Sequence, residues 1–192
     1  MLLAGKEADI LKSIWDELNL SLTVSGHPFH IFSVSTVEKN KPDSRNVVLR
    51  SLDKKNNSIT FHTDKRSSKI KQFSNNKNVC ALFYDQPNKI QIRIHGEINL
   101  VTNKDEINSK WSKLQYMSKL CYINKFSPGD LLSNPKEYVS ENPPADLVDN
   151  GVENFAIVNI NINSLDWLNL HHQGHERLII DFKNNGSKWV SP

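Results

Sequence analysis

The sequence predicts an α+β fold in which an antiparallel β-barrel carries peripheral helices, as a single domain over residues 1–192. Six or seven short runs of β-branched and aromatic residues are mostly joined by turns rich in Asn, Asp, Lys and Pro. Helical patterns occur at the start and between only some of these runs. A parallel sheet of βαβ units needs a helix after nearly every strand, so the antiparallel arrangement is favoured.

The composition argues against a membrane protein and against a nucleic-acid-binding protein. Hydrophobic residues make up 38% of the chain and charged residues 23%, and no apolar run approaches the ~18 residues of a membrane span. The net charge of +3 is mild and lacks the dense Lys/Arg stripes of nucleic-acid binders. Cys80 and Cys121 are far apart, and the N-terminus has no long apolar stretch. We therefore expect a cytoplasmic protein that binds neither membranes nor nucleic acids.

The first half of the chain opens with a helix and continues with strands. Apolar residues at helical spacing predict an amphipathic helix over residues 6–18. A second, short helix is predicted around Ile70 and Phe73. The turn-rich segments EKNKPDSR and DKKNN separate three predicted strands, at residues 29–37, 47–52 and 58–63.

The second half repeats this mixture. Gly96 interrupts a clean alternation of apolar and polar residues, which predicts a bulge or a close backbone approach. Residues 124–154 are rich in Pro, Asn, Ser and Asp and are either an ordered excursion with a helical turn near 136–139 or a linker. The remaining predictions are strands at 79–84, 90–101, 155–162 and 178–182 and a helix at 104–121.

A phosphate site would have to use side chains and turn amides, because the sequence contains neither GxxxxGK[ST] nor GxGxxG. The segment FHTDKRSSKIKQ (61–72) places hydroxyls and cations where a strand ends and a helix begins, and helix N-termini attract anions. The alternative is a solvated basic turn in which Asp64 or Ser67 caps the helix.

Two further segments carry candidate ligands. In PDSRNVVLR, Arg45 and Arg50 lie five residues apart and therefore on opposite faces of a regular strand, and the alternative is an edge strand with charged ends. In HHQGHER, His171 and His175 have the spacing of two zinc ligands on a helix. Gly174 disfavours a helix there, and no other motif completes the site. We therefore predict no metal site and interpret this segment as a polar loop.

Four motifs in order resemble the FMN-binding split-barrel family of pyridoxamine 5′-phosphate oxidase. R-x-V-x-L-[KR] matches residues 45–50, F-x-T-[ND]-x-x-S-x-K matches 61–69, and Q-[VI]-R-[VI]-x-G matches 91–96. Trp167 and Arg177 reproduce a Trp–Arg pair ten residues apart, and Trp189 begins a W-x-x-P-like tail. The sequence is most similar to a less characterised branch of the family rather than to the oxidases proper.

The resemblance implies an antiparallel split β-barrel that binds FMN at the interface of a homodimer. Arg45 and Lys69 would hold the phosphate, Gln91 would face the polar edge of the ring, and Trp167 and Arg177 would come from the other subunit. The cofactor-binding residues implied are Arg45, Asn46, Val47, Val48, Leu49, His62, Thr63, Ser67, Ser68, Lys69, Gln91, Trp167 and Arg177.

The substrate side departs from the oxidases. Arg50 stands where they have Lys, Gln173 replaces an arginine near the retained His175, and Y-x-x-x-R-x-x-x-S is missing from residues 111–122. Ser68 occupies a position that is usually arginine, for which Arg66 is a candidate to compensate. Arg50 and His175 are the predicted substrate-binding residues, and no catalytic residue is assigned.

The function predicted is an FMN-dependent oxidoreductase acting on an unidentified small molecule, for which Arg50 offers a site for an anionic group. Pyridoxamine phosphate oxidation itself is less well supported than FMN binding. The alternative is a split-barrel protein that binds flavin or haem without turnover.

Overall fold

The computed structural model describes residues 3–138, 143 and 145–192. Its eight strands are β1 (Ile31–Glu38), β2 (Lys41–Asp53), β3 (Ser58–Asp64), β4 (Asn78–Asp85), β5 (Ile90–Leu100), β6 (Phe155–Asn169), β7 (Glu176–Asp181) and β8 (Gly186–Trp189). They form one antiparallel sheet in the order β3-β2-β1-β4-β5-β6-β7-β8. An additional pairing of β3 with β6 closes the first six strands into a barrel, which confirms the predicted fold class.

The helices lie around this barrel. The α-helices are α1 (Gly5–Leu20), α2 (Ser68–Asn75), α3 (Lys104–Ser112), α4 (Tyr116–Lys119) and α5 (Ala145–Asn150). Short 3₁₀ turns span Pro28–His30, Leu120–Tyr122, Pro135–Tyr138 and Gly151–Asn154. Among the described residues, no helix is long and apolar enough to cross a membrane.

The barrel interior is filled by apolar side chains from its six strands. Phe32, Phe61 and Phe83 are fully buried, and the rings of Phe32 and Phe83 stack at 4.6 Å between centroids. The helix α1 contributes Trp15 and Leu18 to the same cluster, so its apolar face covers the barrel. Burial of such large side chains supplies the main driving force for folding.

A smaller apolar cluster lies outside the barrel, where α3 packs on β6. Trp111 and Phe155 are buried there with ring centroids 5.5 Å apart, and Tyr122 packs against both rings. This cluster fixes the start of the 124–154 excursion next to β3 and β6.

Gly96 lies at a β-bulge, as its place in the sequence predicted. The β5–β6 register shifts between His95 and Gly96. A Cβ at this position would lie 2.5 Å from the Asn161 carbonyl oxygen and 2.8 Å from Ile160 Cγ2. Only glycine allows the two strands to approach this closely.

The predicted turn between β1 and β2 is wrong in its extent. The turn is confined to Lys39 and Asn40, both at positive φ (47° and 64°), and β2 already begins at Lys41. Residues 41–44 are exposed because the hairpin extends beyond the core, so they lack the apolar alternation of a buried strand. Two successive residues at positive φ are typical of tight hairpin turns.

Other boundaries also differ from the predictions. The helix predicted over 104–121 ends at Ser112, because the chain turns at Gln115 and brings Tyr122 back against Trp111. The strand β6 continues past residue 162 to Asn169 and pairs with β7, and β8 was not predicted. The helical turn predicted near 136–139 is a 3₁₀ turn at Pro135–Tyr138, with Val139 outside the described residues.

Candidate functional site

Three elements bring a basic site together at one end of the barrel. We define this basic site as Arg45 of β2, Thr63 of β3, and Ser68 and Lys69 of α2. Lys69 Nζ donates to Thr63 Oγ1 at 3.0 Å. Arg45 lies close enough for its charge to lower the pKa of Lys69. Residues far apart in the sequence therefore converge as the phosphate motif implied.

A polar network behind Arg45 fixes its guanidinium. Arg45 Nη1 donates to Thr36 Oγ1 at 2.7 Å, and Nη2 donates to Gln72 Oε1 at 2.9 Å and to the carboxylate of Asp43. Gln72 is only 3% exposed, and its Nε2 donates to Asp43 Oδ2 at 3.0 Å. The sequence analysis missed Gln72. A polar residue beside Phe73 on the inward face of α2 was the available signal.

Lys69 is the cation available to a ligand. Its pKa is lowered from the ordinary value, first by burial and next by the charge of Arg45. Among the described residues no carboxylate forms an ion pair with Lys69. A partly buried ammonium next to a guanidinium favours an anion bound between them.

The two serines of the motif have different surroundings. Ser67 is 4% exposed, and its Oγ donates to the Asp64 carbonyl oxygen at 2.7 Å. Ser68 is exposed and begins α2, where the first backbone N–H groups have no acceptor within the helix. Ser68 is therefore the serine placed to contact an anion with its side chain.

Arg66 is directed towards the excursion. Its Nε and Nη2 donate to the buried carboxylate of Asp64, and its Nη1 donates to the Asn124 carbonyl oxygen at 2.7 Å. Arg66 thus ties the loop before α2 to the start of the 124–154 segment.

The outward face of the barrel carries the residues implied for the flavin ring. Asn46, Val48 and Gln91 face outwards, whereas the side chains of Val47 and Leu49 are buried and leave only their backbone for a ligand. Asn46 Oδ1 accepts from Ser33 Oγ at 2.7 Å, and Gln91 lies opposite Tyr84.

Trp167 and Arg177 lie in different environments. The Trp167 side chain is 8% exposed and belongs to the barrel core. Arg177 Nε and Nη2 donate to Asp166 at 2.9 and 2.8 Å, and Arg93 donates to the same carboxylate. Burial favours a raised pKa for Asp166, but the hydrogen bonds from Arg177 and Arg93 outweigh it and hold the pKa below the usual value.

His62, Tyr122 and Arg50 form a further polar group near the start of the 124–154 segment. Burial, and next the charges of Arg50 and Lys110, lower the pKa of His62 to about 4, and its ring packs edge-on against Phe155 at 4.7 Å. Burial raises the pKa of Tyr122 to about 12, with Arg50 acting in the opposite sense. His62 is therefore neutral at pH 7, beside the positive charge of Arg50.

His175 is exposed in the loop before β7, and no hydrogen bond or ion pair of the described chain joins it to Arg50. The neighbouring rings of His171 and His172 lie 4.3 Å apart. Within residues 3–138, 143 and 145–192, no three metal-ligating side chains cluster.

The donor set of the basic site fits the phosphate of FMN. It combines a guanidinium, a partly buried ammonium, the hydroxyls of Ser68 and Thr63, and the N-terminus of α2. The outward face beside it offers the backbone of β2 and the amide of Gln91 to a planar ring.

Comparison with known proteins points to the same cofactor. Residues 12–102 match the family model described as pyridoxamine 5′-phosphate oxidase, FMN-binding domain. No curated protein sequence gives a significant match.

Solved structures share the fold at low sequence identity. A pyridoxamine 5′-phosphate oxidase-related, FMN binding protein from Nostoc punctiforme superimposes with a TM-score of 0.76 at 20% identity, covering 100% of both chains. PhzG from Burkholderia lata gives 0.73 at 15% identity, covering 98% of this chain and 94% of that one. General stress protein 26 from Bacillus anthracis gives 0.51 at 18% identity, with coverages of 80% and 92%.

The family match spans helix α2, which carries Lys69, and the strands that carry Arg45, Thr63 and Gln91. Residues 12–102 therefore resemble the FMN-binding domain of the pyridoxamine 5′-phosphate oxidase family, and this match supports FMN as the cofactor.

Proposed function

We propose that the protein is an FMN-dependent oxidoreductase. The observation that carries the proposal is the convergence of two cations at the N-terminus of α2: Lys69 is hydrogen-bonded to Thr63, and Arg45 to Gln72 of the same helix, within the segment matched to an FMN-binding domain. FMN supplies two-electron chemistry, while the protein binds the cofactor and shapes the pocket around it.

The residues of the basic site hold the FMN phosphate in this proposal. Lys69 and Ser68 contact it directly, and Arg45 contributes charge from a position fixed by Gln72 and Asp43. Ser67 acts through its backbone and through the turn it makes with Asp64. Asn46, Val48 and Gln91 line the ring, and His62 and Thr63 extend the site along β3.

A homodimer completes the site. Ile31, Leu82 and Tyr84 are 53%, 37% and 48% exposed on the outward face, next to the residues proposed for the ring. In the dimer, Arg177, fixed by Asp166, and the edge of Trp167 would reach the flavin of the other subunit.

The substrate is a small molecule with an anionic group near Arg50. Arg50 is exposed, and Lys110 adds a second positive charge to the surroundings of neutral His62. His175 is proposed to reach the same substrate from the other subunit. A reducing, cytoplasmic setting is also proposed, because Cys80 and Cys121 are both free.

Anaerobic reduction of the FMN-loaded protein tests catalysis. Pyridoxamine 5′-phosphate, NADH and NADPH are each mixed with the holoprotein, and bleaching of the flavin is followed. We expect one of them to bleach the flavin. We also expect Arg50→Gln to raise the concentration of an anionic donor needed, whereas Lys55→Gln, in the exposed β2–β3 turn, leaves it unchanged. Bound FMN that none of these donors reduces would favour a flavin carrier instead.

A further inference from the structure

A cavity of about 420 Å³ opens between α2, the end of β5 and the start of α3. Its volume lies in the range of small-molecule pockets. None of the residues assigned to FMN or to the substrate lines it, and the residue that α2 contributes to the lining is Ile70 rather than Lys69. The cavity is therefore distinct from the flavin site and has no role in the function proposed above.

The floor of this cavity is apolar and partly open to solvent. Ile107 and Ala156 are buried at its base, while Ile70, Leu100 and Val101 are half-buried. Covering half-buried apolar side chains with another apolar group is favourable, at ~25 cal/mol per Å² removed from water.

The walls are held by backbone hydrogen bonds. Lys65 N donates to the Asn154 carbonyl oxygen at 2.7 Å, and Val101 N donates to the Ile157 carbonyl oxygen at 3.1 Å. Asn103 Oδ1 accepts from Glu106 N at 3.1 Å and caps α3. The cavity is thus preformed, which lowers the entropic cost of binding.

The rim is positively charged. Lys65, in the turn before α2, and Lys104, at the start of α3, both line the cavity, and no acidic side chain is among the lining residues. Neither lysine forms an ion pair within the described part of the chain. An apolar floor below two uncompensated cations is complementary to an amphipathic anion.

A second cavity of about 240 Å³ continues from Leu100 along the same face of α2. Phe73 and Ser74, three and four residues after Ile70, line it together with Ile98. The two cavities share Leu100, so a linear apolar body entering the first can extend towards the second.

From these features we infer that the groove between α2 and β5 is a binding site for a linear amphipathic carboxylate. The carboxylate lies between Lys65 and Lys104, and the alkyl chain covers Ile70, Leu100 and Val101. The inference is independent of the oxidoreductase proposal, because the groove shares no residue with the flavin site.

The test is a titration of the isotope-labelled, FMN-loaded full chain with sodium decanoate below its micelle-forming concentration, followed by amide NMR shifts. Saturable shifts are expected at Ile70, Val101 and Ile107. Affinity is expected to rise from octanoate to decanoate, and decanol, which lacks the charge, is expected to bind at least fivefold more weakly.

Two kinds of variant distinguish the effect of the lysine charges on decanoate binding from the effect of the open groove volume. Lys65→Gln/Lys104→Gln is expected to weaken decanoate binding at least fivefold, whereas Lys55→Gln/Lys113→Gln, with the same net charge but outside the groove, leaves it unchanged. Thr102→Trp, at an exposed rim position, fills the opening and abolishes binding with both lysines intact. Retained flavin absorption shows that each variant is folded.

Several results would overturn the inference. These are shifts located elsewhere or missing up to the solubility limit, equal binding of decanol and decanoate, and equal behaviour of the two double variants. Shifts at the groove that depend on protein concentration without ligand would show that a second copy, rather than a carboxylate, covers it.

Discussion

Lys69 and Arg45 show how single residues acquire a function through their surroundings. Both are ordinary surface residue types, yet β2, β3 and α2 bring them into a partly buried site where each charge acts on the other. Asp43 and Gln72 engage Arg45 from one side and leave Lys69 without a carboxylate partner in the described chain. Asp64 and Asp43 act on the Lys69 ammonium only through longer-range charge interactions, so a phosphate would be its direct partner.

Replacing Lys69 with alanine is expected to weaken FMN binding by about 1.5–3 kcal/mol, the scale of a charge-assisted hydrogen bond. This corresponds to a roughly ten- to hundredfold rise in Kd. Quenching of flavin fluorescence during titration of the apoprotein measures it. Lys71→Ala, two residues along α2 at an exposed position, is the control and should leave the Kd within twofold. Equal Kd values for the two variants would mean that the phosphate binds elsewhere.

His62 makes the stability of the protein depend on pH. Its pKa is about 4 in the folded chain against 6.5 as the ordinary value, so the unfolded chain takes up a proton first as the pH falls. The contribution of neutral His62 to the free energy of unfolding is fully present above pH 6.5 and is lost as the pH falls towards 4.

Between pH 7 and pH 5 this loss should lower the free energy of unfolding by on the order of 1–2 kcal/mol, reduced by the partial exposure of the ring. Urea unfolding at the two pH values measures it. His62→Gln should show a correspondingly smaller decrease over the same interval. A variant with the same pH dependence as the wild type would show that other groups cause it.

Some helices and strands could be predicted from the sequence alone, and others could not. Helices α1 and α2 and the central strands follow from periodicity, because each buries one face in the barrel. The β1–β2 turn and the break after α3 could not be predicted this way. The first extends into solvent beyond the core, and the second depends on a contact between Trp111 and Tyr122, eleven positions apart.

Gly96 permits the bulge in the pairing of β5 with β6. Gly96→Ala is expected to destabilise the protein by about 1–3 kcal/mol, since its Cβ would overlap the backbone of β6. Gly186→Ala is the matched control, because nothing lies within 4 Å of a Cβ there. Urea midpoints that shift equally for both variants would contradict the steric explanation.

Arg66 holds the start of the excursion against the barrel. Arg66→Gln leaves the buried Asp64 carboxylate without its guanidinium and should cost on the order of 3 kcal/mol. Tryptic cleavage after Lys125, next to the Asn124 carbonyl that Arg66 binds, should become faster. Arg66→Lys keeps a cation, so its rate of tryptic cleavage should lie between those of the wild type and Arg66→Gln. An unchanged cleavage rate in Arg66→Gln would show that Arg66 does not hold this segment against the barrel.

At the scale of the whole molecule, the motifs specified the site better than composition did. Their order identified the residues of the basic site, but it could not show that Ser67 faces inwards, that Trp167 lies in the core or that Gln72 supports Arg45. Those details depend on packing between elements. The single domain over residues 1–192, the phosphate-binding roles of Arg45 and Lys69, and the substrate-binding roles of Arg50 and His175 stay predictions.

The proposed homodimer is a property of the whole molecule, and a substitution on its expected interface tests it. Leu82→Glu places a charge in the exposed apolar patch of the outward face and is expected to convert the dimer to monomer and to lower FMN affinity. Leu20→Glu, similarly exposed at the end of α1, should leave the mass unchanged. Light scattering after gel filtration measures both. A wild-type protein that is monomeric with FMN bound would contradict the shared site.

The visible spectrum of the purified protein, before and after reconstitution with FMN, tests the central claim most directly. We predict flavin absorption bands with one FMN per chain, retained through gel filtration by the wild type and Lys71→Ala and retained to a smaller extent by Lys69→Ala. A colourless protein that takes up no FMN, or a Soret band indicating haem, would contradict it.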